Sequence, residues 1–194
     1  GSEMCIRDRA VWTGDGSGYQ IAQTQPMKLA AVEGLYEGGT NVGLVGIGML
    51  NPEKKTYNDG KDPFLFRIEI PSMLSFLAER DVDGYVPGIT NIIEGGYQLK
   101  DGTTALSAAE KIERGKTAIG ALAAYRAAKS AGHEEDAAVA YQVLQENMPY
   151  FGYGYIKDVN QLVPNVPLNF YAFRIMVILG GYFILFFIVV LFFI

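Results

Sequence analysis

The chain has 194 residues, of which 49% are hydrophobic and 19% charged, and its formal net charge is −5. This length predicts one domain, or one domain with a membrane anchor, and the acidic balance argues against a nucleic-acid partner, which needs clustered Lys and Arg. The single Cys excludes an internal disulfide framework, and the single His excludes haem or metal centres that take several histidines from this chain.

The start of the chain contains a segment that we expect to be foreign to the fold. Residues 1–9 show no hydrophobic periodicity and no signal-peptide core, so we interpret them as a non-native leader of adapter or vector origin, and Cys5 is given no role. We expect Ala10–Trp12 to be the last residues of another membrane span. Three glycines in Gly14–Gly18 predict a turn-rich opening. A short helix is predicted from Gln23 to Glu37 and ends at two glycines.

The next segment is predicted to combine a loop, a strand and a short helix. Residues Thr40–Asp62 are rich in Gly, Asn and Lys and are expected to loop over the surface. Residues Pro63–Pro71 alternate large apolar side chains with polar ones, which is the period of a half-buried strand. A helix from Ser72 to about Arg80 is predicted to follow.

A helical hairpin is predicted in the second half of the chain. The stretch Ser107–Ala131 is rich in Ala, Lys and Glu, and its Ser107-x-x-Glu110 start is a capping-box pattern. A second helix, from about Glu134 to Asn147, is expected to fold back through a turn in which His133 is exposed to solvent. We then expect an extended or turn conformation at three prolines: Pro149, Pro164 and Pro167.

The last residues have the composition of a membrane span. Between residues 168 and 194 Arg174 is the only charge, and residues 175–194 carry none. Twenty helical residues at about 1.5 Å each cover roughly 30 Å, the thickness of a hydrocarbon core. We therefore predict a mainly α protein: a truncated piece of a polytopic transmembrane helical bundle, with a mixed, mostly helical extracytoplasmic loop and one C-terminal transmembrane helix.

Several short segments, taken in order, resemble subunit I of the cytochrome bd family of quinol oxidases. They are GDGSGYQ (residues 14–20), KLAAVE (28–33), IPSMLSFLAERDVDG (70–84), FGYGYI (151–156) and FRIMV (173–177). The resemblance implies that residues 10–39 begin a quinol-binding loop, that residues 40–167 continue it with the helical hairpin, and that residues 168–194 form the following transmembrane helix.

The resemblance also implies roles for individual residues. Lys28 and Glu33 would bind quinol and oxidise it, and Asp15 would match an acidic position at the loop entrance. Met176 would be an axial ligand of the iron of a low-spin haem b, and Arg174 would sit beside that haem. A second haem b and haem d would be held by residues upstream of this chain. Quinol, a second membrane subunit and the lipid bilayer are the implied partners, in the bacterial inner membrane.

Elementary chemistry is compatible with these roles but leaves alternatives open. A carboxylate such as Glu33 can take a quinol proton as electrons leave, and repulsion from Glu37 one helical turn on would raise the pKa of either acid. A thioether such as that of Met176 suits haem iron. Without the resemblance, Lys28 and Glu33 would be read as solvated side chains, Met176 as packing, and Arg174 as a cation that snorkels to the interface.

A second function of a different class is also compatible with the sequence. The chain would then be a non-enzymatic extracytoplasmic interaction module on a single C-terminal anchor. That protein would bind no haem and would need no further helices, whereas the oxidase fragment is expected to be inactive without them.

Overall fold

The structure is a computed structural model that describes Gly14 and residues 16–193. The predicted leader 1–9 with Cys5, the span residues 10–12 and the candidate residue Asp15 lie outside the described residues. The described chain divides into two compact units. The first runs to Asn91 and resumes at Val163, and the second comprises residues 92–162.

The first unit opens with a helix where the sequence predicted turns. Helix α1 covers residues 16–24. The prediction was wrong because glycines weaken a helix only by about 1 kcal/mol each relative to alanine, and tertiary packing overrides that cost. Ala22 of α1 packs into a buried cluster with Leu74, Ala78 and Val86.

Helix α2, Pro26–Glu33, is shorter than predicted at both ends. A proline occupies its first turn, a favoured position because a proline has no N–H to leave unbonded there. Gly34 ends the helix in the left-handed conformation, with φ of 64°, and its N–H bonds back to the carbonyls of Ala30 and Ala31. Glu33 is therefore the last helical residue, and Glu37 does not lie one helical turn beyond it.

Two antiparallel strands form a hairpin in the first unit. Strand β1 is Leu44–Leu50 and strand β2 is Phe64–Ile70. The second strand confirms the prediction from alternation, but the first was wrongly predicted as loop, because two glycines interrupt the apolar pattern of LVGIGML. The prediction that one face of β2 is half-buried was also wrong, because in the described structure Phe66, Ile68 and Ile70 are each more than half exposed.

Two further helices follow the hairpin, and the second of them crosses the sequence boundary between the two units at residues 91 and 92. Helix α3, Met73–Glu79, agrees with the predicted helix, whereas helix α4, Ile89–Glu94, was not predicted. The chain segments at Gly38 and Gly88 touch so closely that a Cβ at either position would overlap the other segment's backbone. The Asn91 side chain accepts hydrogen bonds from both glycine N–H groups, at 2.6 and 3.1 Å.

The second unit contains the predicted hairpin. Helix α5 is Ala108–Ala131 and helix α6 is Glu134–Asn147. Ser107 and Glu110 form the predicted capping box, with both reciprocal hydrogen bonds present. His133 is exposed, as predicted, and lies 3.5 Å from Asp136.

Short 3-10 helices follow the hairpin, over Met148–Tyr155 and Val159–Leu162. The extended conformation predicted at Pro149 was wrong, because this proline occupies the first turn of a 3-10 helix, where no N–H is required. Backbone atoms of Gly115 in α5 and Gly154 approach so closely that neither position has room for a Cβ. This approach packs the first 3-10 segment directly onto α5.

Helix α7, Val166–Phe193, returns the chain to the first unit. It begins before the predicted residue 168 and contains Pro167, which was wrongly expected in extended or turn conformation. Its 28 residues cover about 42 Å at about 1.5 Å per residue. It belongs to the one stretch, among the described residues, that is long and apolar enough to cross a membrane. The predicted mainly α fold with one C-terminal span is confirmed.

Candidate functional site

The site is built around Arg174, which is only 8% exposed although it lies on the apolar helix α7. Its guanidinium donates to the Glu33 carboxylate at 3.1 Å and to the Val45 carbonyl at 2.8 Å. It also donates to the Val32 carbonyl at 2.8 Å. One side chain of α7 therefore ties together the end of α2 and strand β1.

Two aromatic contacts strengthen this junction. The Arg174 guanidinium lies 3.5 Å from the centre of the Phe170 ring, a distance at which a cation is attracted to the ring face. Phe170 is fully buried and packs against Phe64 of β2 with ring centres 5.5 Å apart. Tyr171 accepts a hydrogen bond from the Leu50 N–H at 3.0 Å. The start of α7 is thus fixed to both strands of the hairpin.

Glu33 is a buried acid with one charged partner. Only 4% of this residue is exposed, and burial raises the pKa of its carboxyl above the ordinary value near 4.5. The Arg174 guanidinium and the Val45 backbone oppose that rise. The repulsion from Glu37 that the sequence suggested is not among the causes; desolvation is the first of them. A carboxyl whose pKa is raised in this way is suited to accept and release a proton.

A cavity of about 350 Å³ opens beside this pair. Its wall is formed by α1, α2, β1, α3 and α7, and of its fifteen described residues only Glu33 and Arg174 are charged. The volume lies within the range of roughly 300–1,000 Å³ typical of small-molecule sites, which are mostly apolar with a few fixed polar groups. Phe173, Val177 and Ile178 of α7 supply part of the apolar wall.

The other predicted site residues lie at different places. Lys28 is on α2, exposed to solvent, and does not line the cavity. Met176 is 60% exposed on α7, and Arg174, two residues earlier, is buried, so the two side chains lie on different faces of the helix. The structure brings Glu33 and Arg174 together but leaves Lys28 and Met176 outside their hydrogen-bonded group.

Met176 is compatible with the ligation of haem iron. Its thioether is accessible on the surface of an apolar helix, and it is a soft ligand of the kind that haem iron accepts. A six-coordinate iron would need a second axial ligand from residues other than these. Among the described residues no three His, Cys, Asp or Glu side chains converge on a metal position.

The sequence did not predict the Arg174–Glu33 contact. The two residues are 141 positions apart, and a partner for Arg174 was expected only in general terms, as an interface or a carboxylate. The available signal was that Arg174 is the single charge of residues 168–194, because a charge in an apolar span requires a partner. Nothing in local periodicity identifies Glu33 as that partner.

The described residues thus combine a mostly helical chain, one helix long and apolar enough to span a membrane, and a small apolar cavity beside a buried acid. The sequence model described as "Cytochrome bd terminal oxidase subunit I" matches residues 6–194. The chain therefore belongs to this family, which confirms the resemblance. Because the match begins at residue 6, the predicted leader boundary at residue 9 stays a prediction.

A curated relative gives the same assignment. The chain is 30% identical to "Cytochrome bd-II ubiquinol oxidase subunit 1" of Escherichia coli (strain K12), in an alignment that covers 87% of this chain. It spans about a third of that relative's length, 31%. Family membership favours the oxidase interpretation over the interaction module.

Proposed function

We propose that this chain supplies the quinol-oxidising site of a cytochrome bd-type quinol:oxygen oxidoreductase. The observation that carries the proposal is the apolar cavity, whose described wall has Glu33 and Arg174 as its only charged residues. The relative's name includes ubiquinol, a substrate with an aromatic head group and two hydroxyls. Such a molecule needs an apolar wall for the ring and a proton acceptor for the hydroxyls, and this cavity offers both.

Glu33 acts as the general base in this proposal. Quinol oxidation releases two protons and two electrons, and a carboxylate within hydrogen-bond reach of a hydroxyl lowers the barrier to proton loss. The pKa of Glu33, raised by burial, favours this role, because a base with a very low pKa takes up a proton poorly. The carboxylate is the reactive form, and a proton taken from quinol neutralises it.

Arg174 is a positioning residue. Its guanidinium donates hydrogen bonds to Glu33 at 3.1 Å and to the Val45 carbonyl at 2.8 Å, which holds the carboxylate beside β1. The charge of Arg174 and its hydrogen bond to Glu33 lower the pKa of the Glu33 carboxyl and so oppose the effect of burial. We propose that the guanidinium keeps Glu33 ionised until substrate arrives. The family resemblance also implies that Arg174 lies beside haem, and its buried Nε, which has no hydrogen-bond partner among the described residues, could donate to a further acceptor there.

Lys28, which does not line the cavity, is proposed to act at its entrance. Lys28 is exposed on α2, the helix that also carries Glu33, and its ammonium is available to a substrate oxygen that approaches from solvent. Asp15 keeps the entrance role that the resemblance implies.

Met176 is proposed to supply one axial ligand of a low-spin haem b. When bound, such a haem accepts electrons singly from the substrate and passes them toward oxygen reduction to water. A second haem b, haem d and a second membrane subunit complete the proposed oxidase, in the bacterial inner membrane with residues 10–167 on the extracytoplasmic side. Residues 1–194 alone are expected to be inactive, because the other haem ligands lie outside them.

The proposal is tested by Glu33→Gln in the complete oxidase. We expect quinol oxidation to fall by about 10²-fold or more, the typical contribution of a general base, while haem content stays at the wild-type level. Lys28→Gln is expected to raise KM more than it lowers kcat, because the side chain lies outside the cavity. Haem content from absorbance and turnover from oxygen consumption are the two readouts.

Glu53→Gln is the matched control, since Glu53 is exposed, is paired with Lys61 on the surface and lines no wall of this cavity. Its turnover is expected to equal that of the wild type. Wild-type turnover of Glu33→Gln would overturn the assignment of the base.

A further inference from the structure

A second cavity, of about 390 Å³, adjoins Glu33. It shares three lining residues with the apolar cavity, namely Glu33, Val45 and Leu74. Arg174 lines the apolar cavity and is not part of the second. Glu33 therefore lies between the two cavities, and these cavities differ in the side chains that line them.

The wall of the second cavity carries more charged side chains than that of the apolar cavity, and most of them are acidic. Besides Glu33 its wall carries the acids Glu37, Asp62 and Glu69, and one base, Arg67. Arg67 is paired with Glu69 at 3.3 Å, so the remaining ionisable groups of the wall are acidic. Carboxylates on a cavity wall attract protons and lower the cost of moving a proton through it.

This second cavity also reaches solvent. Glu37, Asp62 and Glu69 are all exposed residues, whereas Glu33 is 4% exposed. The Glu69 side chain lies against Gly43, where a Cβ would be 3.0 Å from its carboxyl carbon. The wall thus runs from a buried acid at one end to hydrated acids at the other.

We propose that Glu33 is a two-sided proton relay, which takes the quinol proton in the apolar cavity and releases it into the second cavity, where Glu37, Asp62 and Glu69 deliver it to solvent. The proposal rests on the proposed quinol oxidation and adds a route and three residues to it.

The chemistry of one relay cycle balances. The O–H bond of quinol breaks as an O–H bond forms on the Glu33 carboxylate, and one electron leaves quinol for the haem acceptor of the proposed function. The Glu33 O–H bond then breaks, its proton passes to water in the second cavity, and the carboxylate is regenerated. Two cycles convert quinol to quinone with loss of two protons and two electrons.

Charge sets the direction of this transfer. Arg174 places a fixed positive charge 3.1 Å from the Glu33 carboxylate, which favours release of a proton that this carboxylate has taken up. On the side of the second cavity the surplus acids attract that proton. The released proton is therefore drawn into the second cavity.

The test is the triple variant Glu37→Gln, Asp62→Asn, Glu69→Gln in the complete oxidase. Proton appearance is followed with an impermeant pH indicator outside vesicles, together with turnover in H₂O and D₂O. We expect the rates of proton release and quinol oxidation to fall about tenfold, equivalent to about 1.4 kcal/mol in the barrier. A larger solvent isotope effect is also expected, while the KM for quinol stays unchanged because none of the three lines the apolar cavity.

Glu53→Gln again serves as control, since Glu53 lines neither cavity and should behave as wild type. If the triple variant oxidises quinol at the wild-type rate with an unchanged isotope effect while Glu33→Gln is inactive, the relay is overturned and the proposed function stands. If Glu33→Gln is itself fully active, the proposed function fails and the relay falls with it.

Assembly of the triple variant is checked by its haem spectrum. Should it not assemble, Glu37→Gln and Asp62→Asn are measured singly, because both side chains are exposed. Each is expected to slow proton release by roughly two- to threefold, less than 1 kcal/mol in the barrier. Wild-type rates in both single variants would contradict the relay.

Discussion

Arg174 is a charged side chain on a helix that is otherwise apolar, and its surroundings determine what that charge does. In hydrocarbon an unpaired guanidinium is expensive, so such residues face the protein interior and find partners. Arg174 does this through Glu33 and two backbone carbonyls of the adjoining loop, Val32 and Val45. The contacts that lower the free-energy cost of burying Arg174 also favour the ionised form of its partner, Glu33.

Arg174→Gln is predicted to move the acid limb of the activity profile to higher pH. Burial raises the pKa of Glu33 and Arg174 opposes the rise, so loss of the guanidinium lets the pKa rise further. Because the base must be ionised, activity should be lost at a higher pH in the variant than in the wild type as the pH falls. The measurement is kcat/KM for quinol against pH in the complete oxidase.

Arg174→Lys, which retains a charge, should restore most of the wild-type profile, and Arg126→Gln, at an exposed arginine of α5, should leave it unchanged. An acid limb that stays in place in Arg174→Gln would show that the guanidinium does not act on the pKa of Glu33.

Met176→Leu is predicted to remove one axial thioether while preserving the apolar surface of α7. We expect the spectrum of one haem b to change from six-coordinate low spin toward five-coordinate high spin, with quinol binding retained. Met148→Leu makes the same chemical change at another exposed methionine, outside α7, and should leave the spectrum unaltered. Identical spectra for Met176→Leu and the wild type would exclude Met176 as a ligand.

At the scale of elements, the second unit depends on one close approach between backbones. Gly115 of α5 meets the backbone at Gly154, so Gly115→Ala must push the 3-10 segment away from the helix. We expect a loss of about 1–3 kcal/mol in the local stability of α5, the usual cost of overpacking. Gly120→Ala is the control on the same helix, since nothing lies within 4 Å of a Cβ there.

Hydrogen exchange of residues 108–131 in the complete oxidase measures this effect. Faster exchange is expected in Gly115→Ala, and unchanged or slower exchange in Gly120→Ala, because alanine favours the helix by up to about 1 kcal/mol. Equal exchange in the two variants would contradict the close packing.

The elements that the sequence predicted correctly are those with a strong local signal. A few neighbouring residues are enough to recognise each of them: the capping box at Ser107, the alternation of Phe64–Ile70 and the apolar run after Arg174. Helix α1 and strand β1 were missed because glycines hide their pattern, and both are stabilised by distant contacts. The Ala22 cluster and the pairing of β1 with β2 supply those contacts.

The candidate site was predictable in part. Its residues came from the family resemblance, and the structure adds that Glu33 and Arg174 contact each other in an apolar cavity. A contact across 141 positions has no local signature in one sequence, and neither has a cavity whose wall comes from five elements. The roles of Lys28, Met176 and Asp15 stay predictions.

For the whole molecule, every described site residue belongs to the first unit, and the second unit, residues 92–162, contains none of them. The chain spans 31% of its curated relative, and in the proposed oxidase the remaining haem ligands and the second subunit are supplied by residues outside this chain. A substrate bound where we propose would therefore contact α1, α2, β1, α3 and α7 but not α5 or α6.

Photo-crosslinking of a quinone analogue to the complete oxidase tests this central claim most directly. With a photoreactive group on the quinone ring, peptide mapping should recover the label in the residues of α1, α3 and α7 that line the apolar cavity, namely Gly18, Tyr19, Leu74, Leu77, Ala78, Phe173, Val177 and Ile178. Excess natural quinone should compete the label away. The account would be contradicted if the label that natural quinone displaces were confined to residues 92–162, with none on the cavity wall.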